Sequence, residues 1–195
     1  MKRGYLNKDF ELFYLKDKRI MEFELHYHDF NKIIIFISGN VTYLIEGRAY
    51  KLKPWDILLV SSSDIHKAII GTSGTYERMI VWVNSNFLHK HNSPDWNLLK
   101  CFDIASSEKR NLLRLSPDVL KQGKHILFQL KEECQVNGFG SQVLKNSLFL
   151  QFIVYLNRLY LEPVSTEHKA DGDYDESIED LIEREFNTIL QETTP

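Results

Sequence analysis

The stretch His26–Ile70, HYHDFNKIIIFISGNVTYLIEGRAYKLKPWDILLVSSSDIHKAII, decides the fold. At its centre is Ile33-Ile34-Ile35-Phe36-Ile37-Ser38, a run of branched and aromatic side chains too short for an ordinary helix. Such residues favour extended backbone because their branching is cramped on a helix and fits a pleated surface. Gly39-Asn40 follows, and Val41–Glu46 resumes the same character, which predicts a tight hairpin in which glycine supplies the positive φ. Glu46-Gly47-Arg48 predicts a second turn before Ala49–Lys53, and Pro54-Trp55-Asp56 a third before Ile57–Val60. Ser61–Asp64 reads as a loop, with strands resuming at His66–Ile70 and, after Gly71-Thr72-Ser73-Gly74, at Tyr76–Val83. Upstream, Glu22–His28 alternates: Glu22, Glu24, His26 and His28 share one face, while Phe23, Leu25 and Tyr27 share the other. Short strands at this spacing, punctuated by turn residues, predict a β-sandwich or barrel.

Beyond Asn84 the period changes. Short helices are predicted near Ser85–His89 and Asp95–Lys100. Ser116-Pro117-Asp118 then opens a longer helix: serine suits the cap, proline the first turn, and aspartate the positive end of the dipole. It runs to about Val136, with Leu120, Gly123, Leu127, Leu130 and Cys134 in one stripe. A second helix spans Ser141 to about Glu162, where Pro163 stops it; Leu144, Leu148, Phe152, Tyr155 and Leu159 form its stripe, widened by Phe149, Ile153 and Leu156. The short link between the two predicts an antiparallel pair. A stripe wider than one face requires predicts contact with a second copy as well as with the barrel. Leu120, Leu127, Phe152 and Tyr155 are the candidate homodimer residues. Val164–Asp175 reads as a linker, and Ile178–Leu190 as an acidic amphipathic lead-in helix.

Composition sets the outer limits. With 195 residues the chain can bury a substantial core without disulfides, and 43% hydrophobic against 26% charged residues excludes a disordered chain. Lys+Arg of 24 against Asp+Glu of 27 leaves a net charge of −3, which excludes a strongly basic nucleic-acid footprint. Cys101 and Cys134 lie far apart with no CxxC spacing, and read as free thiols in a reducing compartment; charges interrupt every apolar run near Met1, so no signal sequence is expected. Both features predict a cytoplasmic protein. Leu148–Leu161 is the most apolar segment, but it contains Gln151, Asn157 and Arg158 and is too short for a bilayer, so it reads as a buried helix and no membrane partner is expected. No GxGxxG, P-loop or GxSxG pattern is present.

His26, His28 and His66 are the residues most able to carry chemistry. On a strand, His26 and His28 would project from one face about 7 Å apart. If the sheet closes, His66 would converge on them. Three readings remain open: imidazoles hydrogen-bonded within the barrel mouth, imidazoles lining an organic effector pocket, or a three-histidine metal site with an open position. Lys32 shares their parity, and so does Glu24, a possible carboxylate donor.

The ordered set His26, His28, Gly39, Gly47, Leu52, Pro54, Asp56, Leu58, Leu59 and His66 resembles the cupin barrel of AraC-family transcription regulators. Tyr76–Val83 followed by Phe87-Leu88 also looks like this family, and the helix pair from Pro117 to Glu162 agrees with it in layout. The resemblance implies a mostly β fold with α: a cupin-like jelly-roll β-barrel over residues 1–116, antiparallel dimerisation helices over 117–162, and a linker with the start of an absent DNA-binding domain over 163–195. It implies a small-molecule effector, a sugar or an anionic metabolite, bound by His26, His28, Lys32 and His66, with no catalytic residue and no cofactor. DNA would be met only through the missing C-terminal helix-turn-helix domain. The alternative is a metal-dependent cupin enzyme, a dioxygenase or isomerase, with His26, His28 and His66 as ligands. There are two departures from the family pattern. Lys32 stands where metal-binding cupins place a glutamate, and a protonated amine repels a cation. Trp55 stands where glycine is usual.

Overall fold

A computed structural model of the chain describes residues 4–17, 24–71 and 75–161. Eight strands and four helices follow in order: β1 (Phe10–Asp17), β2 (Asn31–Ser38), β3 (Val41–Ile45), β4 (Arg48–Lys51), β5 (Ile57–Val60), β6 (His66–Ile70), β7 (Tyr76–Val83), α1 (Ser85–His89), α2 (Lys100–Ser107), β8 (Leu112-Leu113), α3 (Pro117–Glu133) and α4 (Ser141–Leu161). The strands form an antiparallel sheet in the order β1-β7-β2-β5-β8 and a smaller antiparallel sheet in the order β4-β3-β6.

The two sheets face each other because the larger one is apolar on both sides. On one face Ile34, Phe36, Leu58 and Val60 meet Val41, Tyr43, Ile45, Tyr50 and Ala68 of the smaller sheet, forming the barrel interior. On the other face Ile33, Ile35, Ile57, Leu59, Met79 and Val81 meet the helices, forming a second core. The result is the cupin-like jelly-roll barrel with a trailing helix pair that the resemblance implies. Ile33, Ile34, Ile35 and Phe36 are at most 1% exposed, and burying each is worth roughly 1.5–3 kcal/mol before entropy is counted.

The turns follow the sequence. Gly39 has φ +135°, and a Cβ there would come within 3.1 Å of the Thr75 carbonyl oxygen. Pro54-Trp55 places Trp55 at φ +74°, a left-handed conformation that costs a side chain about 1–2 kcal/mol. Its surroundings explain why tryptophan is tolerated there. The Trp55 amide donates to the Phe36 carbonyl at 2.6 Å, Lys124 Nζ sits 3.7 Å from the ring centroid, and the Phe128 ring meets it edge-on at 6.1 Å. The turn is thereby fastened to α3.

Several expectations are corrected. Among its described residues, the segment read as a strand over Glu22–His28 forms isolated bridges at His26, to His66, and at Tyr27 in place of a ladder, while Glu22 and Phe23 lie outside the described residues. Its histidines bond locally instead: His26 Nδ1 lies 2.8 Å from the Glu24 carbonyl and His28 Nδ1 lies 2.6 Å from the Phe30 carbonyl. Such short-range side-chain bonds compete with a ladder. β1 was not expected, yet it pairs with β7 along its whole length. The second short helix begins at Lys100, not Asp95, because Asn92 and Asn97 side chains accept from the Leu98 and Leu99 amides and hold the preceding segment in turns. Ser116 has the extended backbone of a cap, but its side chain makes no cap hydrogen bond. The linker and the Ile178–Leu190 helix lie outside the described residues.

The helix pair is antiparallel: Ser141 Oγ donates to the Val136 carbonyl at 2.8 Å, and Tyr155 Oη donates to the Val119 carbonyl at 2.7 Å. Gly123 admits the Tyr155 ring, since a Cβ there would lie 2.9 Å from Cε1. Leu127, Phe152 and Tyr155 are 1%, 0% and 7% exposed within the single chain. Their surface is used by this core, while Leu120 is half-buried. No helix among the described residues is long and apolar enough to cross a membrane.

Trp55→Gly tests the third turn. Relief of the left-handed strain is worth about 1–2 kcal/mol, while the lost burial and cation–π contact cost about 2–4 kcal/mol. The expected outcome is a lower urea midpoint; an unchanged or higher midpoint would show that the ring adds nothing to the fold.

Candidate functional site

Alternation along β2 sends Lys32 inward with Ile34 and Phe36, and alternation along β6 sends His66 inward with Ala68. The segment before β2 brings His26 and His28 to the same end of the barrel. The imidazole centroids form a compact triangle: His26–His66 4.4 Å, His28–His66 4.8 Å and His26–His28 6.4 Å. Lys32 Nζ lies 3.0 Å from His66 Nε2. All four predicted ligand-binding residues are therefore brought together and buried, with Lys32 7% exposed and His66 fully enclosed.

The hydrogen bonds determine the proton positions. His66 Nδ1 lies 2.9 Å from the Asp64 carbonyl, and His28 Nδ1 lies 2.6 Å from the Phe30 carbonyl. A carbonyl only accepts, so in each ring Nδ1 carries the proton and Nε2 presents a lone pair. The His66 lone pair accepts from the Lys32 ammonium. The His28 lone pair is buried and has no partner. Burial, followed by the nearby Lys32 charge, pulls His28 down to about 3 and His66 to about 2, so both are neutral at pH 7. Burial, followed by the Arg78 charge, lowers Lys32 to about 8, so its ammonium is largely retained at pH 7.

Arg78, Tyr43 and Tyr76 were not singled out from the sequence, although each stands at an inward position. Arg78 is buried, pairs with Asp17 at 2.6 Å and lies over the Tyr76 ring at 3.9 Å. Tyr43 stacks on His66 with ring centroids 6.2 Å apart, and burial raises its phenol to about 12. Parity would have found all three once β3 and β7 were aligned with β2. Glu24 is exposed and does not join the interior group.

A metal does not fit this set. Among the described residues no group of three His, Cys, Asp or Glu side chains is arranged to hold an ion. The lone pair His66 would offer is taken by Lys32, and an ammonium that close opposes a second cation. Two solvent-open hollows lie elsewhere, one beside β1 and one beside α2, and contain none of the four residues.

The pH dependence of stability follows from these shifts. Below about pH 8 Lys32 is charged in both folded and unfolded chains, and the fold bears the full cost of burying that charge. From about pH 8 to 10.5 only the unfolded chain keeps the proton, so stability rises with pH, by an amount on the order of 3 kcal/mol. Lys32→Met should abolish this rise in urea melts. On the acid side, His28 and His66 bind protons more weakly in the fold, so their contribution is lost as pH falls from 6.5 towards 3. Histidine ¹⁵N spectra at pH 7 should show both rings neutral with the proton on Nδ1; an imidazolium at either site would contradict the geometry.

With this geometry in hand, the chain was compared with known proteins. The family model described as AraC-like ligand binding domain matches residues 13–153. A curated relative, the HTH-type transcriptional activator RhaR of Mannheimia succiniciproducens, is 26% identical over 171 residues, covering 87% of this chain and 57% of the relative. The chain thus spans little more than half of that protein. Similar solved structures include a cupin 2 conserved barrel domain protein from Salinispora arenicola, at 17% identity and TM-score 0.37 over 46% of this chain and 76% of the other. Another, from Rhodopseudomonas palustris, has 12% identity and TM-score 0.36 over 42% and 56%.

Proposed function

Because the chain belongs to the family of AraC-like ligand-binding domains, we propose that it is the effector-sensing and dimerisation part of a transcription regulator, taking its small molecule at the polar end of the barrel interior. One observation carries this reading. A barrel lined mainly by aliphatic and aromatic side chains gathers Lys32, His26, His28 and His66 at one end, and leaves His28 Nε2 without a partner. A buried lone pair without a partner costs about 1–3 kcal/mol, and a bound donor recovers it. The interior is then a receptor and not a catalytic centre. What opposes the metal site of the enzyme alternative is Lys32, whose ammonium takes the His66 Nε2 lone pair and repels a cation.

In this reading the unit is cytoplasmic. The barrel spans 1–116, the helices 117–162, and residues 163–195 are the linker and the start of the DNA-binding domain through which alone DNA is met. The homodimer rests on the surface that α3, α4 and the link between them leave uncovered: Leu120 is half-buried, and Val136, Phe139, Val143 and Leu144 are exposed.

Thermal melting against a library of sugars and small metabolites tests the sensor. A ligand at about a hundred times its dissociation constant adds about 2.7 kcal/mol to stability. At least one compound should raise the midpoint, and His28→Phe should weaken that response; the absence of any stabilising compound would remove the reading. Sedimentation velocity tests the dimer. Wild type should be dimeric at micromolar concentration, and Val143→Glu with Leu144→Glu should yield a folded monomer. Leu127→Glu should instead unfold the chain, because it places an unpaired charge in the core. A monomeric wild type would refute the interface.

A further inference from the structure

We propose that the effector is a small hydroxycarboxylate, whose carboxylate is held by the Lys32 ammonium and whose hydroxyl donates to His28 Nε2. The inference rests on the sensor reading and narrows it from any small molecule to one chemical class.

The argument concerns which groups are spent and which remain. An ammonium has three protons to donate. Among the described residues, Lys32 uses one of them, on His66 Nε2, and pairs with no carboxylate. The other buried cation of the barrel interior, Arg78, is already matched by Asp17. Lys32 is thus the interior charge with no counter-ion, on a side chain more than nine-tenths buried. An anion would supply that counter-charge where water screens it least. A neutral polyol would not.

The second half of the chemistry comes from His28. Its Nδ1 proton is committed to the Phe30 carbonyl, and its ring lies flat on Phe30, with centroids 4.2 Å apart and planes inclined by 5°. Swapping the donor and acceptor edges of the ring would forfeit the hydrogen bond to the Phe30 carbonyl. Its remaining edge is a lone pair, which demands a hydroxyl or another donor and repels a carboxylate oxygen. A plain carboxylate would satisfy Lys32 and leave His28 unmet. A sugar would satisfy His28 and leave Lys32 without an anion. A molecule carrying both groups within a few atoms answers both, because His28 and Lys32 flank the same His66 ring. Tyr43 and His26, also against that ring, fall outside the two contacts assigned.

The test is calorimetric titration of the full chain with lactate, glycerate, tartrate and gluconate. The tightest binder is then compared with its neutral counterpart, in which the carboxylate becomes a carbinol, and with its deoxy counterpart, in which the hydroxyls are removed. For gluconate these are sorbitol and hexanoate. Both counterparts should bind at least tenfold more weakly than the parent acid. Lys32→Met should erase the preference for the acid over the neutral counterpart, and His28→Phe the preference for the acid over the deoxy counterpart. The ¹⁵N signal of His28 Nε2 should move on binding while Nδ1 keeps its proton. The comparison among the three ligands needs only wild-type protein, so it stands even where a variant fails to fold. If a neutral sugar binds as tightly as the acids and Lys32→Met leaves it unaffected, the hydroxycarboxylate inference is overturned while the sensor reading survives. If neither the acids nor any compound of the metabolite library binds, both are overturned.

Discussion

Strand β2 is buried on both faces, and the remainder of the molecule is organised around that constraint. Its odd-numbered isoleucines need an apolar partner on one side, which the helices supply, and its even-numbered residues need one on the other, which the smaller sheet supplies. Hydrogen bonding on both edges, to β5 and β7, keeps the strand in the middle of the sheet where both requirements can be met. Lys32 inherits its position from the same alternation. Two residues before Ile34 on a strand of fixed register, its side chain has no outward option, and the strand that builds the core also carries a charge into it.

That charge shapes the chemistry of the interior. A buried ammonium must have acceptors, and a neutral imidazole held in the right tautomer by a backbone carbonyl supplies one. His66 serves in this way. His28 repeats the arrangement, Nδ1 on a carbonyl and Nε2 facing inward, without the lysine to satisfy it. On β2, Lys32 sets its ammonium against the His66 edge, and a second cation there would meet a like charge.

The helices show how little an apolar stripe says about what covers it. Leu127, Phe152 and Tyr155 lie on apolar stripes, and a stripe records only that something apolar covers it. The coordinates show that the covering is intramolecular: Gly123 opens a notch for Tyr155, and Asn157 ties α4 to α2 by accepting from the Cys101 amide and donating to the Leu98 carbonyl. Width of stripe is a weak guide because α4 packs against the sheet, α2 and α3 together, which buries it on more than one side.

Local chemistry was sufficient to read the strands from Ile33 to Val83, three of their turns, the two long helices and the four residues that meet in the barrel. Each depends on period, branching or turn-forming residues, which act over a few positions. β1 was not legible because its apolar residues alternate imperfectly and its order comes from β7, a strand remote in the chain. The Glu22–His28 expectation failed for the converse reason: alternation was present, but His26 and His28 found nearer partners in their own backbone. Sequence alone thus determined which residues could face inward. Only tertiary structure decided which imidazole edge faces the interior, that Lys32 satisfies one lone pair and not the other, and that Arg78 is already neutralised, because hydrogen bonds and charge pairing depend on distances set by strands remote in the chain.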